Sequence, residues 1–138
     1  AVFDHCAIYV LIAGTYTPFL LISMRTGVGW LAFGTIWALA TAGIVKKLWL
    51  RHRFPKIALA SYLAMGWLCV VAAPQIAAAI GPNGMAWLFA GGVSYSVCAI
   101  FYALDKVPYN HAVWHVFVLA GGVCHFFSVI WHVLPKVA

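Results

Sequence analysis

The sequence predicts an all-α integral membrane protein, a helical bundle of five transmembrane helices forming one domain over 1–138. Three observations predict it. Of 138 residues, 66% are hydrophobic and 7% charged, with a mean hydropathy of +1.02, whereas a soluble domain carries about 25% charged residues. That leaves too little polar surface to coat a water-facing globule. Five apolar runs reach the roughly 20 residues that a spanning helix needs. The cationic residues between them are gathered rather than dispersed.

The first span is expected over 5–24. Pro18 removes the backbone donor that would reach the carbonyl of Gly14, so a kink is expected there, with Thr15 or Thr17 satisfying the freed group. Arg25-Thr26-Gly27 separates it from a second span over 29–48. A basic loop over 46–56 holds Lys46, Lys47, Arg51, Arg53 and Lys56. The third span is expected over 57–78 and the fourth over 85–104, divided by the Gly81-Pro82-Asn83-Gly84 turn. Asp105 to Asn110 lead into the fifth span, 111–134. Ala13-Gly14, Gly91-Gly92 and Gly121-Gly122 are small enough to let helices approach closely. Trp30, Trp49, Trp87 and Trp131 fall near helix ends, as an aromatic belt requires.

With five spans, the N-terminus, the basic loop and the Asp105–Asn110 loop share one side. Six Lys and Arg fall on that side, against Arg25 and Lys136 on the other. The positive-inside rule then puts the N-terminal side in the cytoplasm and the C-terminus outside, in a multi-pass protein of the cell membrane. The net charge of +6 is a loop property rather than a nucleic-acid-binding surface. Cys6, Cys69, Cys98 and Cys124 form no CxxC pair and imply no disulfide framework.

Ionisable groups at membrane depth are costly, so each is a functional candidate. His111 and His115, at i and i+4, lie about 40° apart on a helix, and both rings can face one metal ion. The alternative is two interfacial histidines wetted by headgroup water. Val118, Gly122 and Val129 continue that face, with His125 at its edge. Asp4 precedes the first helix, where an isolated aspartate would be an N-cap. The topology adds that Asp4, His111 and His115 start their helices on one side of the membrane, hence at one depth. A carboxylate beside two imidazoles can orient a water and act as its general base. His5 points away from Asp4 and is read as structural. His52 belongs to the basic loop. Ser128 and His132 lie at the opposite membrane face, and their spacing is read as chance.

Asp4-His5-Cys6-Ala7-Ile8-Tyr9 followed by Ile12-Ala13-Gly14-Thr15-Tyr16-Thr17-Pro18-Phe19 resembles the third-helix signature of the hemolysin III family. This is the bacterial branch of the progestin and adipoQ receptor superfamily. Tyr109-Asn110-His111-Ala112-Val113-Trp114-His115 resembles its last-helix His-x3-His motif, and Ser61 to Trp67 resembles its fifth helix. The likeness runs along nearly the whole chain. It implies a seven-helix bundle with a zinc ion near the cytoplasmic face, held by one histidine of the second helix and two of the seventh. By motif, His111 and His115 are the seventh-helix ligands and Asp4 is the aspartate that contacts the water at the metal. The chain begins at the third helix, so the third ligand is expected on a helix absent from it, and the missing N-terminal helices are its expected partners.

The leading functional expectation is zinc-dependent hydrolysis of a membrane lipid amide or ester, with Asp4 as the catalytic base. A non-catalytic, zinc-stabilised receptor or regulator of membrane lipid is the second. A cytolytic pore-former is the third, and the apolar helices speak against it, because a secreted toxin must be soluble before insertion.

Overall fold

A computed structural model of the chain describes residues 2–50, 55–104 and 107–136. Arg51, His52, Arg53, Asp105 and Lys106, which figure in the loop expectations above, lie outside the described residues. Five α-helices follow one another: α1 (Val2–Pro18), α2 (Gly27–Leu50), α3 (Pro55–Trp67), α4 (Ala73–Ala103) and α5 (Asn110–Ser128). No strand occurs among the described residues. Among the described residues four helical stretches, Phe3–Ser23, Gly27–Leu50, Ala73–Ala103 and Asn110–Lys136, are long and apolar enough to cross a membrane. The fifth, Lys56–Val70, is apolar but shorter. The chain divides into two compact units, Ala1–Gln75 and Ile76–Ala138.

The shortening of the third span has a local cause. Instead of running to residue 78, α3 tightens into a 3-10 turn at Leu68–Val70 before α4 begins at Ala73. Pro74 has no N–H to give the carbonyl of Val70, and its ring would clash with that carbonyl in a continuous helix. The loosened end is satisfied by one side chain of α1. The Tyr16 hydroxyl accepts the Cys69 N–H at 2.8 Å and faces the carbonyls of Met65 and Gly66 at 2.8 and 2.6 Å. Tyr16→Phe removes these partners at once. Unpaired buried polar groups cost about 1–3 kcal/mol each, so a thermal unfolding midpoint several degrees lower in detergent is expected. An unchanged midpoint would refute this role.

Within the first unit, α1 and α2 run antiparallel. The Tyr9 ring lies over Gly43, the Trp37 indole N–H donates to Thr17 Oγ1 at 3.1 Å, and Gly29 lies against the carbonyls of Leu20 and Met24. A Cβ at Gly29 would strike those two oxygens, so only glycine permits this turn. Thr26 Oγ1 accepts the Gly29 N–H at 3.4 Å and caps α2. α3 runs with α1, because Tyr9 meets Ser61 at 2.7 Å and Tyr16 meets Gly66. The starts of α1 and α3 and the end of α2 therefore share one face of this unit.

The Pro18 region departs from expectation in detail. Pro18 ends α1, and the chain continues as a π-helical turn, Phe19–Ser23. The threonines do not serve Gly14. Thr15 bonds the Leu11 carbonyl at 2.7 Å and Thr17 that of Ala13 at 2.9 Å, because a helical threonine reaches its own i−4 carbonyl.

In the second unit α4 is interrupted at Gly81, whose φ of 74° and ψ of 178° break the helix before Pro82. This is where the Gly-Pro-Asn-Gly turn is expected. Beyond it α4 packs antiparallel to α5 through a ladder of side-chain bonds to backbone carbonyls. Ser128 donates to Gly84 at 2.9 Å, His125 Nε2 to Leu88 at 3.2 Å and Ser94 to Phe117 at 2.8 Å. Between these rungs each helix offers a glycine to a ring of the other. The His125 imidazole covers Gly91, and the Tyr95 ring covers Gly121, where a Cβ would meet ring carbons at 2.7 to 3.0 Å. Ala13, Gly91 and Gly121 are buried, as small residues at helix contacts should be, whereas Gly14 and Gly92 face open space.

Candidate metal centre

α5 begins abruptly. Tyr109, directly before it, is in the left-handed region at φ 58° and ψ 18°, a conformation that costs a non-glycine residue about 1–2 kcal/mol. Its carbonyl accepts the N–H groups of Ala112 and Val113 at 3.0 and 3.1 Å, and the Asn110 amide bonds the Leu104 carbonyl at 2.8 Å. These contacts hold the first turn of α5, which carries His111, with His115 one turn further on.

The two imidazoles meet. His111 Nε2 and His115 Nε2 are 3.0 Å apart, and the rings are perpendicular with centroids 4.5 Å apart. Trp114, buried on the α4 side, packs against both, with centroids 5.3 Å from His111 and 4.4 Å from His115. Tyr102 of α4 backs the indole at 6.1 Å. The pair thus lies beside the buried seam of α5, and both histidines are exposed in this chain. Trp114 is the part of the arrangement that residue-type reasoning did not single out. The signal was its position, three residues after one histidine and one before the other.

Two imidazole nitrogens on one tetrahedral zinc, with Zn–N distances of about 2.0–2.1 Å, stand roughly 3.3 Å apart. The observed 3.0 Å falls within a few tenths of an ångström of that edge, so the pair fits two corners of such a site without rebuilding. The same distance is also a hydrogen bond when one ring donates and the other accepts. Among the described residues no group of three or more His, Cys, Asp or Glu is gathered as a metal site, so the pair can supply two ligands and no more.

Asp4 is half-buried in the first turn of α1 and belongs to the first unit, whereas the histidine pair belongs to the second. His5 is buried, with its backbone carbonyl accepting from the Tyr62 hydroxyl at 3.3 Å. Ser128 is fully buried and spends its proton on the Gly84 carbonyl. That is a packing role, and it accounts for the residue without a serine–histidine couple. All four cysteines are free thiols.

Comparison with known proteins identifies the family. The profile of the family described as Haemolysin-III related matches residues 1–126. The chain is 48% identical over 134 residues to Hemolysin-3 of Bacillus cereus, covering 97% of this chain and 61% of that protein. It is 45% identical over 131 residues to the Hemolysin-3 homolog of Bacillus subtilis strain 168, covering 95% and 62%. The human Monocyte to macrophage differentiation factor is a distant relative, 27% identical over 138 residues, with 96% of this chain and 55% of that protein covered. The chain therefore spans about three-fifths of the length of the bacterial relatives it matches. No solved structure matches it. By its matched profile, its bacterial relatives and its apolar helices, the chain belongs to the Haemolysin-III related family of multi-pass membrane proteins.

Proposed function

We propose that the full-length protein holds zinc near the cytoplasmic face through His111, His115 and a third ligand outside this chain, and hydrolyses a lipid amide or ester. The observation that carries this reading is the 3.0 Å approach of the two Nε2 atoms. That distance is within a few tenths of an ångström of a zinc tetrahedron's edge, on rings packed against a buried tryptophan.

When bound, zinc would polarise a carbonyl oxygen and lower the pKa of a water towards about 7. The chain's own residues have separate tasks. His111 and His115 present neutral Nε2 lone pairs. Trp114 limits the rotation of both rings, which keeps those lone pairs converging. Asp4 orients the attacking water and takes its proton as general base, a role that typically contributes about 10²–10⁴-fold in rate. The apolar helices bring a lipid substrate to the site laterally. The activity is tested on the purified full-length protein with vesicles containing a long-chain lipid amide. Fatty acid release is expected, lost on chelation and restored by added zinc. Zinc-loaded protein that releases none from amide or ester lipids would contradict the hydrolase reading.

The orientation is part of the proposal, and the six-to-two division of Lys and Arg supports it. Alkaline phosphatase, active only outside the cytoplasm, is expected to be active when fused after Ala138. Activity of a cytoplasm-only reporter at that position would reverse the topology.

A further inference from the structure

Away from the histidine pair, the first unit contains a cavity of about 420 Å³ between α1, α2 and α3, within the range of roughly 300–1,000 Å³ typical of small-molecule sites. Its walls are almost wholly apolar, formed by Leu39, Ala42, Ala64, Met65 and Leu68, of which Met65 is buried and the others are open to the surface of this chain. Its α2 wall, from Leu39 to Leu50, is about 16 Å long at the helical rise per residue. Lys46 and Lys47 stand at one end, on the face that the starts of α1 and α3 share.

Lys47 is the unusual member. Only 7% of it is exposed, and no hydrogen bond or ion pair ties its ammonium to any described residue. A buried lysine without a counter-charge is costly, unless its stem lies along apolar surface and its head reaches the membrane interface. The hydroxyls of the wall are already used. Ser61 gives its one proton to the Ala58 carbonyl at 2.7 Å, so the Tyr9 hydroxyl, 2.7 Å from Ser61, must be the donor to it. The groove offers two ammonium groups at one end and aliphatic surface along its length. A single molecule that matches both is an anionic phospholipid. A zwitterionic lipid answers less well, because its phosphate already carries its own counter-charge.

We propose that the groove between α1, α2 and α3 holds one anionic phospholipid, its acyl chain along Leu39, Ala64 and Leu68 and its phosphate on Lys46 and Lys47. The site is independent of the metal reading. It lies within the first unit alone and uses neither histidine.

The test mixes purified full-length protein with phosphatidylglycerol and phosphatidylcholine in equal amounts and counts retained lipid by native mass spectrometry. The wild type is expected to keep about one phosphatidylglycerol per chain in preference to phosphatidylcholine. Each lysine near an anionic headgroup contributes about 1 kcal/mol, so the Lys46→Gln/Lys47→Gln double variant is expected to weaken retention roughly thirtyfold. The Lys46→Arg/Lys47→Arg pair keeps both charges and is expected to retain the lipid, which separates charge from folding. Ala64→Trp puts an indole into the groove and is expected to expel the chain. Excess inorganic phosphate is expected not to compete, since it lacks an acyl chain. The proposal is overturned by equal retention of the two lipids, by unchanged retention in the glutamine or tryptophan variants, or by displacement with phosphate alone.

Discussion

His111→Ala and His115→Ala, each made in the full-length protein, are expected to lose zinc to a degree that one washing step with a weak chelator reveals. Each change deletes one nitrogen of a pair whose separation, 3.0 Å, lies within a few tenths of an ångström of the edge of a zinc tetrahedron. Changing a group that merely supports a ligand costs about 10–100-fold in affinity, and removing the ligand itself should exceed that range. The effect on folding should be small by comparison. Both side chains are exposed in this chain, and Trp114, which anchors the turn to α4, stays in place. The two variants should also resemble each other. Retention of full zinc by both would show that the imidazoles meet only as hydrogen-bond partners.

Asp4→Asn is expected to divide metal binding from chemistry. Asparagine keeps the size of the side chain, and Asp4 lies inside the first turn of α1 rather than before it as expected for an N-cap, so α1 should form normally and the protein should keep most of its zinc. It has no basic oxygen to take a proton from water. Hydrolysis of a lipid amide should therefore fall by about 10²–10⁴-fold, the usual contribution of a general base. A non-catalytic receptor predicts a different result, with zinc kept and no turnover to lose in the wild type either. If Asp4 served only the structure of the first turn of α1, the variant would turn over lipid at the wild-type rate.

How much of this was legible in the sequence depends on how local the physics is. The helices and most of their ends were, since apolar length, Pro18, Gly81-Pro82 and the charged loops act within a few residues. The break in the third span was written in the sequence as Pro74. Hydropathy averaged over 20 residues passed across it, because proline in lipid is tolerated wherever another helix repairs the backbone. That repair comes from Tyr16, more than 50 positions away by the Cys69 bond, and no local rule could find it. The histidine pair was legible because i, i+4 geometry is fixed by the helix itself. Trp114 between the rings was not, as its role depends on packing against Tyr102 of another helix. The reciprocal seating of Tyr95 on Gly121 and His125 on Gly91 explains why glycine is needed at those two positions and not at Gly14 or Gly92. In the sequence alone five glycines, Gly122 included, were equivalent.

The measurement that tests the account most directly is elemental analysis of the full-length protein, purified without chelator or added metal. One zinc per chain in the wild type, falling to near zero in both histidine-to-alanine variants, is the predicted result. Iron in place of zinc would change the chemistry assigned to the site. A wild-type protein with no bound transition metal would contradict the account at its centre.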